Sequence, residues 1–221
     1  TTITTQGDIL YRDGSGLQRL AAGTASQVLQ TGGAGANPSW TTMSSDMVKI
    51  GSTDITSSTA SVIFQHGTNG VVIDNTYRTY MLRCSGFQPT AQGENVRMRV
   101  GVGGSMRSSG YITEAHRSYY SGGTDRGNDS SNIINFRGGA EDSVHGEINC
   151  VINFSDMADA TTKTSAIGMG VLFDGSDSST SQANQGTCGG IYGTAEANDT
   201  IQIYMGSGNI AKGQFTLYGF K

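Results

Sequence analysis

The sequence predicts an all-β protein, in which a small N-terminal module precedes an antiparallel, jelly-roll-like β-sandwich. Three observations predict it. Apolar residues recur at every second position in short runs from about residue 47 onward, and segments rich in Gly, Asn, Asp and Ser separate these runs. No amphipathic helix of ten or more residues is evident, residues 157–163 being the nearest approach. Glycine, at 33 of 221 residues, suits many short strands joined by tight turns.

The sandwich is predicted to span residues 47–221 and to contain eight to ten strands. Strands with one apolar and one polar face are typical of antiparallel sheets that pack on one side. The residues expected to share the buried face are Tyr80, Leu82 and Cys84; Val96, Met98, Val100 and Val102; Ile148, Cys150, Ile152 and Phe154; Ile167, Met169, Val171 and Phe173; Ile201, Ile203 and Met205; and Phe215 and Leu217.

Residues 1–46 form the predicted N-terminal module. Short strands are expected at 8–11 and 17–20 around the turn at 13–16, where glycines permit positive φ. Thr24 and Gln27 form a small capping box, which predicts one or two helical turns that include Val28 and Leu29.

The module has few apolar side chains, too few to offset the entropy of ordering it alone. We therefore expect it to be ordered by self-association or by docking on a larger assembly. The candidate attachment and oligomerisation residues are Leu10, Tyr11, Leu17, Leu20, Val28, Leu29 and Trp40.

Charge and hydropathy exclude two classes of partner. The net charge is −4 and no basic run occurs, so we expect no binding to nucleic acid. No apolar run approaches the ~20 residues of a membrane-spanning helix, so no membrane insertion is expected. The three cysteines are far apart and are predicted to be buried free thiols.

The motifs that suggest catalysis or metal binding are weak. His145-Gly146-Glu147 resembles half of a zinc deaminase signature, but the Pro-Cys-x-x-Cys half is missing. Carboxylates at 141–142, Asp156 and Asp159 suit turns better than a glycosidase pair, and the Asp-rich loops at 125–129 and 174–179 lack EF-hand spacing. We expect no enzyme activity, no cofactor and no metal, with ion binding by the Asp-rich loops left open.

One cluster of aromatic and polar residues suggests contact with a sugar. Aromatic faces stack on pyranose rings, while flanking polar groups bind hydroxyls. The alternative is that these are ordinary strand residues at a sheet or subunit interface. The candidate glycan or partner contacts are Tyr111, His116, Arg117, Tyr119 and Tyr120.

The first forty residues resemble a module at the start of virion proteins of tailed bacteriophages, especially marine and cyanobacterial phages. The resemblance rests on Gly7-Asp8-Ile9-Leu10-Tyr11, the Asp13-Gly14 turn, Leu17-Gln18-Arg19-Leu20, Gly23-Thr24-Ala25-Ser26-Gln27-Val28-Leu29 and Asn37-Pro38-Ser39-Trp40. The C-terminal run from Asp199 to Phe220 is similar to the ending of many phage structural proteins.

The resemblance implies a trimeric, β-rich virion protein, made in the host cytoplasm and exposed on the particle surface. It implies attachment to tail or capsid proteins through the N-terminal module and an outward-facing sandwich. Two functions stay open: a short tail fibre or spike whose sandwich adheres to a host-surface glycan, and a capsid decoration or cement protein, or head fibre. Exposed aromatics in a distal loop would favour the first, and a broad apolar face would favour the second.

Overall fold

The computed structural model of the protein describes residues 3–91, 93–118, 123–140, 147–174 and 182–221. The chain divides into two compact units, Thr1–Ser45 and Asp46–Lys221, so the observed boundary lies one residue from the predicted one. Among the described residues, no helix has the length and apolar character needed to cross a bilayer.

The N-terminal unit consists of two antiparallel strand pairs. Strand β1 (Ile9–Arg12) pairs with β2 (Leu17–Leu20), and β3 (Gln27–Gln30) pairs with β4 (Ser39–Thr42). The β1–β2 turn is closed by the Asp13 carboxylate, which accepts hydrogen bonds from the backbone N–H groups of Ser15 at 2.8 Å and Gly16 at 2.9 Å. The predicted hairpin is therefore confirmed.

The helix predicted after Thr24 is wrong, because β3 occupies that position. The Thr24 N–H does donate to the Gln27 side-chain oxygen at 2.8 Å, as in a capping box, but Ser26 has a φ of 70° and the chain turns there. Leu29 then pairs with Trp40 across the β3–β4 ladder. A cross-strand partner for each apolar residue outweighs the weak local helix signal.

The second unit contains thirteen strands among its described residues. They are β5 (Met47–Ile55), β6 (Ser61–Gln65), β7 (Thr79–Pro89), β8 (Glu94–Val102), β9 (Ser105–Met106), β10 (Tyr111–Ser118), β11 (Thr124–Asp129), β12 (Ile134–Ala140), β13 (Ile148–Ser155), β14 (Lys163–Asp174), β15 (Gln182–Ala195), β16 (Thr200–Met205) and β17 (Ile210–Phe220).

These strands form two antiparallel sheets with jelly-roll winding. The larger sheet has the order β11-β10-β15-β14-β13-β7-β17-β5, and the smaller has the order β12-β8-β16-β6 with β9 beside β8. The chain crosses between sheets after β5, β6, β7, β9, β11, β12, β15 and β16. The run β5-β17-β7-β13 in the larger sheet and the run β6-β16-β8-β12 in the smaller sheet have the strand orders of a jelly roll, and β14, β15, β10 and β11 extend the larger sheet. The predicted fold class is confirmed.

The core lies between the inner faces of the two sheets. Most residues predicted to face inward on β7, β8, β13, β16 and β17 are buried there, including Leu82, Met98, Ile152, Ile203 and Leu217, all without exposed surface. The prediction for β14 is wrong: Ile167, Met169 and Val171 lie on the outer face. The side chain of Phe173 lies outside the part of the structure that is described.

Candidate interaction surface

The outer face of the larger sheet carries large apolar side chains that no described residue of the second unit covers. Their exposed fractions are 73 % for Ile112 on β10, 44 % for Ile191 on β15, and 62 %, 60 % and 41 % for Ile167, Met169 and Val171 on β14. We call these five residues the outer apolar patch. Exposed single apolar residues are common on proteins, but a contiguous group on adjacent strands marks a contact surface.

The patch is contiguous because of the strand register. Ile112 lies directly opposite Ile191 in the β10–β15 pair, and Ile191 lies opposite Ser165 in the β14–β15 pair. Ile167, Met169 and Val171 follow at every second position, so they form one row on the same face. The patch therefore extends across three neighbouring strands.

Glycines on the inner face explain why β14 presents its apolar row outward. A Cβ added to Gly168 would lie 2.9 Å from the Cζ of Phe136, and one added to Gly170 would lie 2.6 Å from the Cβ of Cys150. Side chains from Phe136 and Cys150 already fill this space. A one-residue shift of β14 would place its large side chains there, so the register with the apolar row outside is fixed.

An open trough of about 860 Å³ crosses the patch beside Gly189. Because Gly189 has no side chain, the surface is recessed between Ile167 on one side and Ile112 on the other. Its rim is polar, and includes Glu114, Arg126, Asn128, Asn153, Ser155 and Ser165.

A smaller depression of about 320 Å³ lies beside Met169 and Val171, toward β13 and β7. Its polar lining residues are Arg83, Ser85, Asn149 and Gln185. The face thus combines a raised apolar row with recesses that have polar edges.

Tyr111 is not available for the predicted sugar contact, because the structure places it in the core with only 3 % of its surface exposed. Its hydroxyl lies 3.2 Å from the Val100 carbonyl oxygen and 3.1 Å from that of Arg107, and its ring centroid is 5.1 Å from that of Tyr192. Burial raises the pKa of Tyr111 to about 12. The prediction for this residue is corrected: its ring and hydroxyl are committed to the core.

The other predicted sugar contacts divide between the two faces of β10. His116 is half-buried, shares the outward parity of Ile112 and Glu114, and lines a recess of about 340 Å³ with Ile167 and Thr187. Arg117 is half-buried and has the opposite parity. Tyr119 and Tyr120 lie outside the described residues. The structure therefore brings His116, but not Tyr111, to the patch that sequence reasoning missed.

The predicted attachment residues of the N-terminal unit are largely exposed. The exposed fractions are 47 % for Leu10, 57 % for Leu17, 39 % for Val28 and 48 % for Leu29, while Tyr11, Leu20 and Trp40 are half-buried. Every described residue of this unit is either half-buried or exposed. The unit is ordered mainly by local polar contacts, and Leu10, Leu17, Val28 and Leu29 remain exposed.

Asp8 is the main polar anchor of this unit. Its carboxylate accepts hydrogen bonds from the Arg19 guanidinium at 2.6 Å and 3.1 Å, and from backbone N–H groups that include Ala22 at 3.2 Å. These donors, Arg19 first, hold the pKa of Asp8 well below its usual range. The adjacent Ala21 carbonyl accepts a hydrogen bond from the Trp40 indole at 2.6 Å.

Asp156 and Asp159, two of the acidic residues considered for hydrolysis, have local partners in the structure. No group of three or more His, Cys, Asp or Glu side chains converges among the described residues. Asp156 forms an ion pair with Arg78 at 3.1 Å, and Asp159 accepts hydrogen bonds from the Thr161 N–H and hydroxyl, as turn residues do. Residues 141–146, with His145 of the deaminase-like motif, lie outside the described part of the chain.

Comparison of this chain with protein-family models, with curated proteins and with solved structures finds no match.

Proposed function

We propose that this chain is a structural protein of a tailed-bacteriophage virion. The N-terminal unit attaches and oligomerises it, and the sandwich makes protein contacts within the particle through the outer apolar patch. The phage assignment rests on the resemblance of residues 7–40 and 199–220. The contact role rests on the outer apolar patch, which is the single observation that carries it.

The apolar character of the patch favours assembly over adhesion. A virion protein that holds its neighbours buries apolar surface against them, and burial stabilises by about 25 cal/mol per Å². Ile112, Ile167 and Met169 each leave more than half of their surface exposed. A capsid decoration or cement role, or an equivalent structural role in the tail, therefore agrees best with this surface.

The N-terminal unit supports the attachment role for a different physical reason. Leu10 and Leu17 are exposed within a unit that has no buried residue among those described. Burial of these side chains against other copies would supply the core that the unit lacks. A homotrimer around this unit is our proposal, and it follows the resemblance.

Glycan adhesion by a short fibre is the second candidate function. The observation that favours it is the polar rim of the 860 Å³ trough, where Glu114, Arg126 and Asn153 surround an apolar floor. Hydroxyl-rich ligands use such groups. However, the described residues that line the trough include no aromatic side chain for stacking on a sugar ring.

Immunogold labelling of intact particles tests the virion assignment. An antibody raised against the full chain is expected to label purified tailed-phage particles from a culture that produces the protein. The label should lie at the same position on the head or the tail of every particle. The particles should lose the label when the antibody is first saturated with the purified chain. Particles without label, together with all of the protein in the unassembled fraction, would contradict the proposal.

A further inference from the structure

We infer that the outer apolar patch binds the same patch on a second copy of this chain, in a two-fold, face-to-face contact. This inference rests on the proposed function and names the partner of its contact surface. Three properties of the patch support a copy as the occupant: its shape, the arrangement of its charges and its area.

The shape is self-complementary. An isologous contact requires that one surface contain both a projecting part and a part that receives it. Ile167 lies level with Gly189, which has no side chain, and Met169 lies level with Thr187 two residues further along the face. A two-fold axis that lies in the face, across the strands and between these levels, places Ile167 of each copy against Met169 of the other. The same axis places the exposed Thr187 of each copy over the recess at Gly189 of the other.

The charges agree with the same axis. Glu114 lies opposite Gly189 and therefore on the level of Ile167, while His116 lies opposite Thr187 and on the level of Met169. Arg126 lies opposite His116 on the neighbouring strand. The rotation that joins Ile167 to Met169 also carries Glu114 of one copy onto His116 of the other, beside Arg126. Opposite charges thus meet twice, once on each side of the axis.

The area is sufficient for a specific but reversible contact. The six strands from β11 to β7 are spaced ~4.8 Å apart, and the seven residues from Ser165 to Val171 span ~24 Å along the strands. The face therefore offers roughly 600 Å² per copy, or about 1,200 Å² in total, at the lower end of the range for specific interfaces. Face-to-face packing of two sheets is an ordinary arrangement of this kind.

Light scattering on the full chain tests the inference. We expect Met169→Lys to halve the molar mass measured at tens of micromolar, because it places a charge in the contact. If the N-terminal unit itself joins several copies, the mass should fall to that of the oligomer formed by this unit alone. Ile63→Lys is the matched control: Ile63 is 48 % exposed on β6 of the smaller sheet, and its replacement should leave the mass unchanged. Circular dichroism checks that each variant is folded.

A charge exchange tests whether the partner is a copy. Glu114→Arg and Arg126→Glu should each raise the dissociation constant by about tenfold, and the double variant should return it to within about threefold of the wild-type value. An unchanged mass in folded Met169→Lys, or a double variant no better than the single ones, would overturn the inference.

A separate measurement, incorporation of the variants into particles, tests the proposed function. Incorporation of Met169→Lys into particles is compared with that of Ile63→Lys by the immunogold assay. If Met169→Lys keeps the wild-type mass but is not incorporated, another virion protein occupies the patch; the inference then fails and the proposed function stands. If its mass and its incorporation are both unchanged, the inference fails together with the contact role of the patch.

Discussion

The phenyl ring of Phe136 on β12 packs against Gly168 on β14, next to the position that a side chain at residue 168 would occupy. A Cβ added to Gly168 would lie 2.9 Å from the ring and 3.0 Å from the Cγ1 of Ile152. Because neither side chain has room to withdraw in a close-packed core, we expect Gly168→Ala to reduce the free energy of unfolding by about 1–3 kcal/mol. Urea unfolding followed by far-UV circular dichroism measures it.

Gly189→Ala is the matched control for this prediction. Gly189 lies on the outer face of β15, next to β14, and the nearest atom to an added Cβ is the Ala166 carbonyl oxygen at 3.9 Å. Its replacement should change the free energy of unfolding by less than about 0.5 kcal/mol. Equal losses in the two variants would show that the inner face of β14 is not packed as described.

Gly168 and Gly170, on the inner face of β14, indicate how far the sequence predicts this fold. Alternation identifies the two faces of a strand but not which face meets the core. On β13 the larger residues lie inside, as Ile152 and Phe154 do, and the prediction is right. On β14 Phe136 reaches across from the other sheet, so the inner face must be small. In the sequence, the glycines at 168 and 170 mark the inner face of β14. On this strand the need for small residues decides which face is buried, although the residues of the other face are more hydrophobic.

The candidate site was less predictable, because it depends on the direction in which β10 faces. Sequence reasoning favours Tyr111 as an aromatic contact, yet its neighbour Ile112 is the exposed residue. The aliphatic residues of the patch come from β10, β14 and β15, and only the register brings Ile112 opposite Ile191. No local motif in the sequence encodes that contact. The proximity of Cys84 to Cys150 is hidden for the same reason.

The thiols of all three cysteines are expected to be unreactive in the native protein. Cys84 lies directly opposite Cys150 in the β7–β13 pair, and both are buried, as is Cys188. Burial raises the pKa of Cys84, and that of Cys188 to about 11, so few thiolates exist near neutral pH. A thiol-reactive chromophore should therefore titrate no cysteine in buffer at pH 8 and three in denaturant.

An engineered cysteine controls this measurement. Ile63→Cys places a thiol at an exposed position of β6, and it should add one rapidly reacting group without altering the other three. Rapid native reaction of any wild-type cysteine would contradict the buried positions assigned to them.

Removal of the Tyr111 hydroxyl should lower the free energy of unfolding of the sandwich. The Val100 N–H donates to this hydroxyl at 3.2 Å inside the core. In Tyr111→Phe that buried donor loses its hydroxyl acceptor, which costs about 1–3 kcal/mol. The control is Tyr218→Phe at a half-buried position of β17, with an expected change below about 0.5 kcal/mol. Chemical unfolding of both variants checks this, and equal stabilities would contradict the assigned role.

Acid stability of the N-terminal unit should depend on Asp8. Hydrogen bonds from Arg19 and from the backbone lower the pKa of Asp8 below its ordinary value of 3.8. A carboxyl group with a depressed pKa stabilises the folded state above the unfolded-state value, and this stabilisation is lost as the pH falls through the folded-state value. The unit should therefore keep its structure at pH 4 and lose it well below that pH.

Fluorescence of Trp40 reports this loss directly, because Trp40 is the single tryptophan of the chain and its indole donates to Ala21, next to the Ala22 N–H that Asp8 binds. In Asp8→Asn the amide cannot reproduce the ion pair with Arg19, so the emission of Trp40 at pH 7 should already resemble that of the acid-treated wild type. Asp46→Asn, an exposed position of the second unit, should leave the emission unchanged. A wild-type transition centred above pH 4, or native-like emission from Asp8→Asn, would show that Asp8 does not anchor this unit.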